Sequence, residues 1–317
     1  MRQQPMRIRD GNPPTQGSFR STSGRVSRWL ISLVIVLGIP VFFAAELSNS
    51  AYTLSSPASV LARLHERPSP LRWPAAHRGD HRDSHENSRE AIHSAAQHGI
   101  PLIEVDVRRN ASGTLFLFHD SRLDPGKVTA PAELMGRRVD SLDDGELGLV
   151  HYAGAMPASV ATYAEALDAI RGQRTMLQLD VKGESTGVID QAVGIARAKG
   201  QAHQILIQCQ RLSTLSYVRE KFPDVAVLAR AHSPTEVRLA FRKLPDFIQI
   251  EVDWITRDMV EGIHAAGSKV LAKSLYEADT LEHWERLFDA GVDVVLTDRA
   301  VEMARHLSAT SALRVAP

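Results

Sequence analysis

Two hydrophobic patterns divide the chain. Residues 29–45 read WLISLVIVLGIPVFFAA and contain no charged residue. As a helix this run would rise about 25 Å, which is at the short end of what spanning a bilayer requires. From about residue 71 onward, short apolar runs alternate with segments of helical period. The pattern therefore predicts one hydrophobic helix followed by a larger α/β region.

The α/β region contains nine predicted strands: Trp73–Arg78, Leu102–Val107, Thr114–Phe118, Met176–Lys182, Ile205–Cys209, Val225–Arg230, Phe247–Val252, Lys269–Ser274 and Val292–Thr297. Helical patterns lie between most of them, including Ser88–Gln97, Val160–Ile170, Thr186–Ala198, Arg257–Ala266 and Asp279–Ala290. Such repeated βα units predict a single (β/α)8 TIM barrel over residues 72–306, followed by a C-terminal tail, 307–317.

One of the nine strands has no place in an eight-stranded barrel. Only RRNASG separates Val107 from Thr114, and a parallel crossover needs a dozen residues or more. We therefore expect a hairpin excursion, in which Thr114–Phe118 pairs antiparallel with an extension of the second strand. This geometry predicts that His119 returns to about the height of Asp106.

Charge at the N-terminus sets the expected orientation of the hydrophobic helix. Residues 1–28 hold six arginines and one acidic residue, Asp10. The positive-inside rule then places a basic tail, 1–28, in the cytoplasm and a transmembrane helix or uncleaved signal anchor at 29–45. Residues 46–71 would form a linker, and the barrel would lie in a periplasmic or extracellular space. Two alternatives are a signal peptide cleaved near Ser48–Ala51, which would release a secreted domain, and a buried core helix.

Composition excludes several classes of protein and site. Lysine and arginine together number 37, as do aspartate and glutamate, so the net charge is zero. A neutral chain argues against nucleic acid as the partner. The single cysteine, Cys209, excludes an intramolecular disulfide and a cysteine-based zinc site.

Three predicted strands carry charged residues with a period of two. Their polar positions share one face of each strand, opposite apolar neighbours: Glu104 and Asp106; Gln178, Asp180 and Lys182; Gln249 and Glu251. The apolar faces should pack on the outer helices, so the polar faces should point into the barrel mouth, where such barrels hold active sites. Three inward carboxylates, Glu104, Asp106 and Asp180, favour a hard divalent cation, Mg²⁺ or Ca²⁺. The alternative is a salt-bridge cluster with Arg78 and Lys182.

Two histidines, His77 and His119, end strand-like runs. Two imidazoles beside an oxygen-ligated metal and flanking cations suit phosphoryl transfer, in which one removes a proton and the other donates one. His77, His81 and His85 also recur every four residues, as in a helical zinc site. Gly79 and the preceding strand favour a loop there instead.

Six motifs occur in a specific order: HRG at 77–79, EN at 86–87, IEVDV at 103–107, SGTLFLFHD at 112–120, LDVK at 179–182 and LTD at 296–298. In this order they resemble the glycerophosphodiester phosphodiesterase family. The resemblance implies a phospholipase-C-like TIM barrel that uses a divalent metal. It also implies hydrolysis of glycerophosphodiesters to glycerol 3-phosphate and an alcohol, through attack by the substrate's own glycerol hydroxyl.

The resemblance also implies roles for individual residues. His77 and His119 would be the acid–base pair, and Arg78 and Lys182 would bind phosphate. The metal ligands would be Glu104, Asp106 and Asp180. Further candidates for supporting roles are Glu86, Glu251 and Lys273.

The chain departs from the family pattern at two of these positions. Asp180 stands where the family usually has glutamate, and Lys273 begins KSLY where the family has Trp-Thr-Val-Asn. Lys273 could form a salt bridge with Glu251 or contact a more anionic substrate.

The resulting functional hypothesis is a membrane-anchored, metal-dependent phosphodiesterase of lipid metabolism. It would act outside the cytoplasm on small-molecule or lipid-headgroup phosphodiesters. Two alternatives remain: a catalytically silent barrel that binds a phosphorylated ligand, and a phospholipase-D-like enzyme of the same superfamily.

Overall fold

The core of the fold is a set of β-strands. A computed structural model describes residues 70–154 and 158–315. The strands in these residues are β1 (Trp73–His77), β2 (Leu102–Arg109), β3 (Leu115–Leu117), β4 (Val128–Thr129), β5 (His151–Tyr152), β6 (Met176–Val181), β7 (Ile205–Cys209), β8 (Ala226–Arg230), β9 (Phe247–Ile250), β10 (Lys269–Lys273) and β11 (Val294–Thr297).

Eight of these strands close into a parallel barrel. The order around the barrel is β1, β2, β6, β7, β8, β9, β10 and β11, and β1 pairs with both β11 and β2. The predicted (β/α)8 architecture is therefore confirmed. The crossovers obey the chain-length requirement of parallel pairing, since long segments separate consecutive barrel strands.

The predicted hairpin is also present. Strand β3 pairs antiparallel with the outer part of β2, and Val107 lies opposite Leu117. The peptide nitrogen of Phe118 donates to the carbonyl oxygen of Asp106 at 3.0 Å. His119 therefore follows directly after a residue that is tied to the end of β2.

The helices surround the barrel. In chain order they are α1 (Arg89–Gln97), α2 (Asp144–Leu147), α3 (Tyr163–Ala169), α4 (Thr186–Ala198), α5 (Leu212–Lys221), α6 (Pro234–Phe241), α7 (Arg257–Ala265), α8 (Leu281–Asp289) and α9 (Ala300–Val315). Side-chain oxygens cap several of them; for example, Ser88 Oγ accepts from the peptide nitrogen of Ala91 at the start of α1. Helix α9 continues past residue 306, where the sequence pattern placed the end of the barrel domain.

Side-chain alternation divides the apolar residues of the barrel strands into two clusters. One set fills the barrel interior: Trp73, Ala75, Leu102, Met176, Leu206, Ala226, Leu228, Phe247, Leu271, Val294 and Leu296. The residues between them, such as Ile103 and Leu179, pack against the helices in a separate cluster. The period-two patterns therefore place polar positions on the inner face, as predicted.

Residues 118–152 form an excursion beside the mouth. Strands β4 and β5 pair antiparallel, and the excursion has its own apolar cluster, which includes Phe118, Leu142 and Tyr152. Its short strands and 3₁₀ turns had no counterpart among the predicted elements.

None of the helices in residues 70–154 and 158–315 combines the length and the hydropathy that a membrane span requires. The predicted basic tail, 1–28, the hydrophobic run, 29–45, and the predicted linker up to residue 69 lie outside the described residues.

Gly79 allows the loop after β1 to pack on α1. Its φ is +89°, and a Cβ atom there would lie 2.8 Å from both the carbonyl carbon and the Cβ of Ala91. Any other residue would meet both a strained backbone and a clash. Gly113, in the β2–β3 turn, has the same φ but open space around the position of a Cβ.

These two glycines define a matched pair of substitutions. Gly113→Ala should lower the free energy of unfolding by roughly 1–2 kcal/mol, because only the left-handed backbone is penalised. Gly79→Ala should lower it by roughly 1–3 kcal/mol more, because the clash with Ala91 adds to that strain. Urea unfolding followed by circular dichroism measures both values. Equal losses would show that the contact with α1 is not tight.

Candidate active site

Each barrel strand contributes at least one polar residue to the mouth at its carboxyl end. Every one lies an even number of positions beyond an inward-facing residue of its strand. In order around the barrel they are His77, Asp106, Asp180, Gln210, Arg230, Glu251, Lys273 and Asp298. The mouth is therefore polar throughout, whereas the interior below it is apolar.

Strand register brings the predicted acidic residues together. His77 lies opposite Glu104 across β1 and β2, and Asp106 lies opposite Asp180 across β2 and β6. Ligand atoms of Glu104, Asp106 and Asp180 all lie within 4.8 Å of one another, and all three residues are buried. The convergence of the three carboxylates agrees with the sequence prediction.

Two cations lie against these carboxylates. Lys182 Nζ is 2.5 Å from Asp106 Oδ1 and 2.6 Å from Asp180 Oδ2, while Arg78 Nε is 3.2 Å from Asp106 Oδ2. The salt-bridge cluster and the metal-type cluster, which the sequence left as alternatives, thus involve the same residues. Arg78 and Lys182 are engaged by carboxylates rather than free in the mouth.

The balance of charge in this cluster is unequal. Three carboxylates face two cations, and Glu104 accepts only the peptide N–H of Arg78, at 3.2 Å, among the described residues. Burial raises the pKa of Glu104 well above its usual range, and the nearby charges of Asp106 and Asp180 raise it further. Burial would also raise the pKa of Asp106, but Lys182 and Arg78 outweigh it and hold that pKa below its usual range. A buried, all-oxygen donor set with surplus negative charge fits a hard divalent cation.

The loop after β1 is fastened to β2 by Asn87. Its side-chain amide donates to Asp106 Oδ2 at 2.8 Å and accepts from the peptide nitrogen of Asp106 at 3.0 Å. Glu86 accepts from Arg78 Nη1 at 2.7 Å. The EN motif therefore orients Arg78 and Asp106, while the adjacent Ser88 caps the helix.

His77 is held by a carboxylate from the last barrel strand. Its Nδ1 lies 2.7 Å from Asp298 Oδ1. Burial would raise the pKa of Asp298, but hydrogen bonds from His77 and His81 hold that pKa well below its usual range. Since an ionised carboxylate only accepts, Nδ1 of His77 carries the proton and Nε2 keeps its lone pair. Burial lowers the pKa of His77 despite the bond to Asp298, so the neutral ring is favoured.

His77, His81 and His85 do not form the helical zinc site that their spacing suggested. The ring of His85 stacks on Tyr152 with centroids 5.2 Å apart, and no helix forms over these residues. His77 and His81 instead share Asp298, and one ligand atom of each of the three lies within 4.8 Å of the others.

His119 forms a second histidine–carboxylate pair. Its Nδ1 is 2.8 Å from Asp120 Oδ1, and Lys127 Nζ is 2.6 Å from the other oxygen of Asp120. Arg108 donates to the carbonyl oxygen of His119 at 2.7 Å, which ties this loop to β2. The His119 side chain is 38% exposed, so it is far more open to solvent than His77, at 8%.

The remaining candidates, Glu251 and Lys273, do not pair with each other. Arg230 donates to Glu251 at 3.3 Å, and the side chain of Lys273 has no hydrogen bond or ion pair with any residue that the structure describes. The salt bridge suggested for Lys273 and Glu251 is therefore absent from the described part of the chain. Arg230, from the neighbouring strand β8, is the partner instead.

The sequence analysis assigned no role to several residues that contact the predicted site, although Asp298 and Asp120 lie in two of its six motifs. Asp298 holds His77, Asp120 holds His119, and Gln210 donates to Asp180 at 3.2 Å. Asp298 and Gln210 each lie two positions after an inward-facing residue. Extending the period of two by one position past the strand end would have found both.

Comparisons with known proteins show the family of this chain. The model of the glycerophosphoryl diester phosphodiesterase family matches residues 77–302. No curated protein sequence matches the chain.

Three solved structures share the fold. A glycerophosphoryl diester phosphodiesterase from Parabacteroides distasonis is 19% identical with a TM-score of 0.69, over 82% of this chain and 94% of that one. A phosphodiesterase from Oleispira antarctica, in complex with the product sn-glycerol-3-phosphate, is 21% identical with a TM-score of 0.62, over 74% and 96%. A glycerophosphodiester phosphodiesterase from Agrobacterium tumefaciens is 20% identical with a TM-score of 0.61, over 73% and 99%.

The closed parallel barrel and its acidic mouth define a TIM-barrel protein with a candidate metal site. The match over residues 77–302 is more specific. The chain belongs to the glycerophosphoryl diester phosphodiesterase family, and it is a phosphodiesterase.

The acidic cluster generates a prediction about metal binding. Mg²⁺ or Ca²⁺ at 100 times its Kd should stabilise the protein by about 2.7 kcal/mol, because the folded state alone assembles the site. Asp106→Asn and Asp180→Asn should each remove most of this effect. Differential scanning fluorimetry with and without the metal measures the shift in Tm.

Asp224→Asn is the matched control, since Asp224 is an exposed carboxylate outside the mouth that pairs with Arg197. It should keep the full metal-dependent shift. If Asp106→Asn and Asp180→Asn kept that shift as well, the cluster would not be the metal site.

Proposed function

We propose that this phosphodiesterase hydrolyses glycerophosphodiesters to sn-glycerol 3-phosphate and an alcohol, with a role in lipid metabolism. The observation that carries the proposal is the convergence of Glu104, Asp106 and Asp180 at the end of β2 and β6, beside a neutral His77. Family membership gives the reaction class, and the chain's own residues supply the groups that such a reaction needs.

In this proposal His77 is the first base. Its Nε2 has a free lone pair because Nδ1 is committed to Asp298, and the lowered pKa keeps the ring unprotonated at neutral pH. Asp298 is a positioning residue, since it fixes the tautomer and orientation of the ring. His77 would accept the proton of the attacking hydroxyl, which the family resemblance assigns to the substrate's own glycerol.

His119 is the proposed acid. Asp120 lies against its Nδ1 and orients the ring, so that Nε2–H would be available to the leaving oxygen. Donation of that proton releases the alcohol as the new phosphorus–oxygen bond forms. In the second half, water attacks the phosphorus of the cyclic phosphate, and the phosphorus–oxygen bond formed in the first half breaks. His119 takes the proton of water and His77 returns its proton to the released glycerol hydroxyl, so that protons balance over the cycle.

Glu104, Asp106 and Asp180 would hold a divalent cation, which when bound would neutralise charge on the phosphate oxygens. Lys182 occupies the space between two of these carboxylates, and would supply a further positive charge at the phosphate. Arg78, held by Glu86, would donate from the opposite side of Asp106. Mg²⁺ and Ca²⁺ both suit this oxygen donor set.

The cellular setting is part of the proposal. We propose that residues 29–45 anchor the protein in a membrane, with residues 1–28 in the cytoplasm and the barrel outside it. The support is the uncharged run and the six preceding arginines. Protease added to spheroplasts, whose cytoplasmic membrane is sealed, should digest the barrel, and full protection would overturn this orientation.

The roles of the histidines predict a dependence on the leaving group. His119→Ala should lower kcat on glycerophosphoglycerol by about 10²-fold or more, because the leaving alkoxide then lacks a proton donor. The loss should be much smaller on the p-nitrophenyl diester of glycerol 3-phosphate, whose leaving group needs no proton. The rate of product formation from each substrate, with Mg²⁺ or Ca²⁺ present, measures both losses.

His98→Ala is the control for that experiment, since His98 is exposed after α1 and bonds to the carbonyl of Ser94. It should leave both rates unchanged. Full activity of His119→Ala would contradict the proposed function, and equal losses on both substrates would contradict the acid role.

The bond between His77 and Asp298 predicts a shift of the pH profile. Asp298 raises the pKa of His77, against the larger effect of burial. Asp298→Asn should therefore lower this pKa further, and the acid limb of kcat/KM should move to lower pH because the base stays unprotonated for longer. Plateau kcat should fall about 10- to 100-fold as ring orientation is lost.

Asp253→Asn, at an exposed residue after β9, provides the control and should keep the wild-type profile. An acid limb of Asp298→Asn that stays in place or moves to higher pH would show that His77 is not the base in that limb.

A further inference from the structure

The two sides of the barrel mouth differ in charge. On the side of β1, β2 and β6, every cation described above is paired with a carboxylate. On the opposite side, β8, β9 and β10 contribute Arg230, Glu251 and Lys273. Two cations thus face one carboxylate, and this side of the mouth has a surplus positive charge.

Lys273 carries that surplus. It lies two positions after Leu271, which belongs to the barrel interior, whereas Ala272 packs outward against the helices. Its side chain therefore points into the mouth. Glu251, on the adjacent strand β9, is hydrogen-bonded to Arg230 instead, and the Lys273 side chain has no ion pair or hydrogen bond with any residue in the described ranges.

Arg230 adds unsatisfied donor capacity to the same patch. Its Nε is buried without a hydrogen-bond partner, and so is Oε1 of Gln249 on the neighbouring strand β9. Buried polar groups are normally satisfied, so such a group at a binding surface often awaits a ligand. Strands β10 and β8, which flank β9, thus offer an ammonium and a guanidinium N–H toward one region of the mouth.

Lys273 is close to the reacting centre. Strand β10 is separated from β1 by β11 alone, so the ends of β10 and β1 are about 10 Å apart along the wall at the usual strand spacing. Burial is the main cause that lowers the pKa of His77, and the charge of Lys273 contributes in the same direction. A group on Lys273 would therefore lie only a few bonds from a phosphorus atom beside His77.

We infer that Lys273, with Arg230, is a specificity determinant that selects phosphodiesters whose alcohol carries a further anionic group, such as a carboxylate or a phosphate. This inference rests on the proposed function and names the substrate class within it. A cationic alcohol of the choline type would be disfavoured on this side, since the carboxylate of Glu251 is already neutralised by Arg230. Lys273 would act on binding and discrimination and would take no part in proton transfer.

The test compares three substrates that share the glycerol 3-phosphate half. They are glycerophosphoglycerol, its analogue with a carboxylate in place of the terminal hydroxymethyl group, and glycerophosphocholine. The quantity measured is the ratio of kcat/KM between substrates for the full chain with Mg²⁺ or Ca²⁺. A change in the pKa of His77 affects all three substrates alike and cancels in this ratio.

Wild type should prefer the anionic substrate over the neutral one. Lys273→Met should lower that ratio by about tenfold or more, because a charge-assisted contact is removed. Lys273→Glu should reverse the preference in favour of glycerophosphocholine, whereas Lys273→Arg should retain most of the wild-type ratio. Lys243→Met, at an exposed lysine shortly before β9 at the other end of the barrel, should change none of the ratios.

The outcomes separate this inference from the proposed function. If wild type hydrolyses none of the three substrates, the proposed function is wrong. If wild type hydrolyses them but Lys273→Met and Lys273→Glu leave the ratios unchanged, the inference about Lys273 alone is overturned. A variant that loses all three activities equally would also overturn it, since discrimination would then not depend on this charge.

Discussion

Three buried carboxylates on two adjacent strands constrain everything else at the mouth of this barrel. Parallel register forces Asp106 and Asp180 side by side, with Glu104 two residues below on the same face. Such a group of charges is unstable in a dry interior unless it is compensated. Lys182 and Arg78 supply part of that compensation. Burial, and then repulsion from Asp106 and Asp180, still raises the pKa of Glu104. A bound divalent cation would offset that repulsion.

The two histidines share a design but differ in setting. In each, Nδ1 is hydrogen-bonded to an aspartate, so Nε2 is the ring nitrogen that could contact a substrate. His77 is buried and is favoured as the neutral base, while His119 is open to solvent in the excursion after β3. Different environments can thus adapt the same pair of groups to opposite proton-transfer roles.

The loop after β1 links stability to the site. Gly79 lets this loop approach α1, and Asn87 bonds to both the backbone and side chain of Asp106. Arg78 lies between them with a left-handed backbone conformation, which is uncommon for a residue other than glycine. Strain of this kind persists where surrounding bonds fix it, and it often occurs at functional sites. The contacts that fix the loop after β1 therefore stabilise the fold and also position the guanidinium of Arg78.

Local alternation of apolar and polar residues was enough to predict the barrel strands and the inward carboxylates, because a period of two assigns each residue to a face without reference to any other strand. The short connection between Val107 and Thr114 was enough to predict the hairpin. Which inward residues become partners could not be predicted, because that depends on register and on strand order around the closed barrel. Asp298 reaches His77 from 221 positions away, and Arg230 rather than Lys273 binds Glu251. The excursion over 118–152 also followed no regular period. Tertiary structure alone decided these contacts, since each joins side chains whose separation in sequence carries no information about their distance in space.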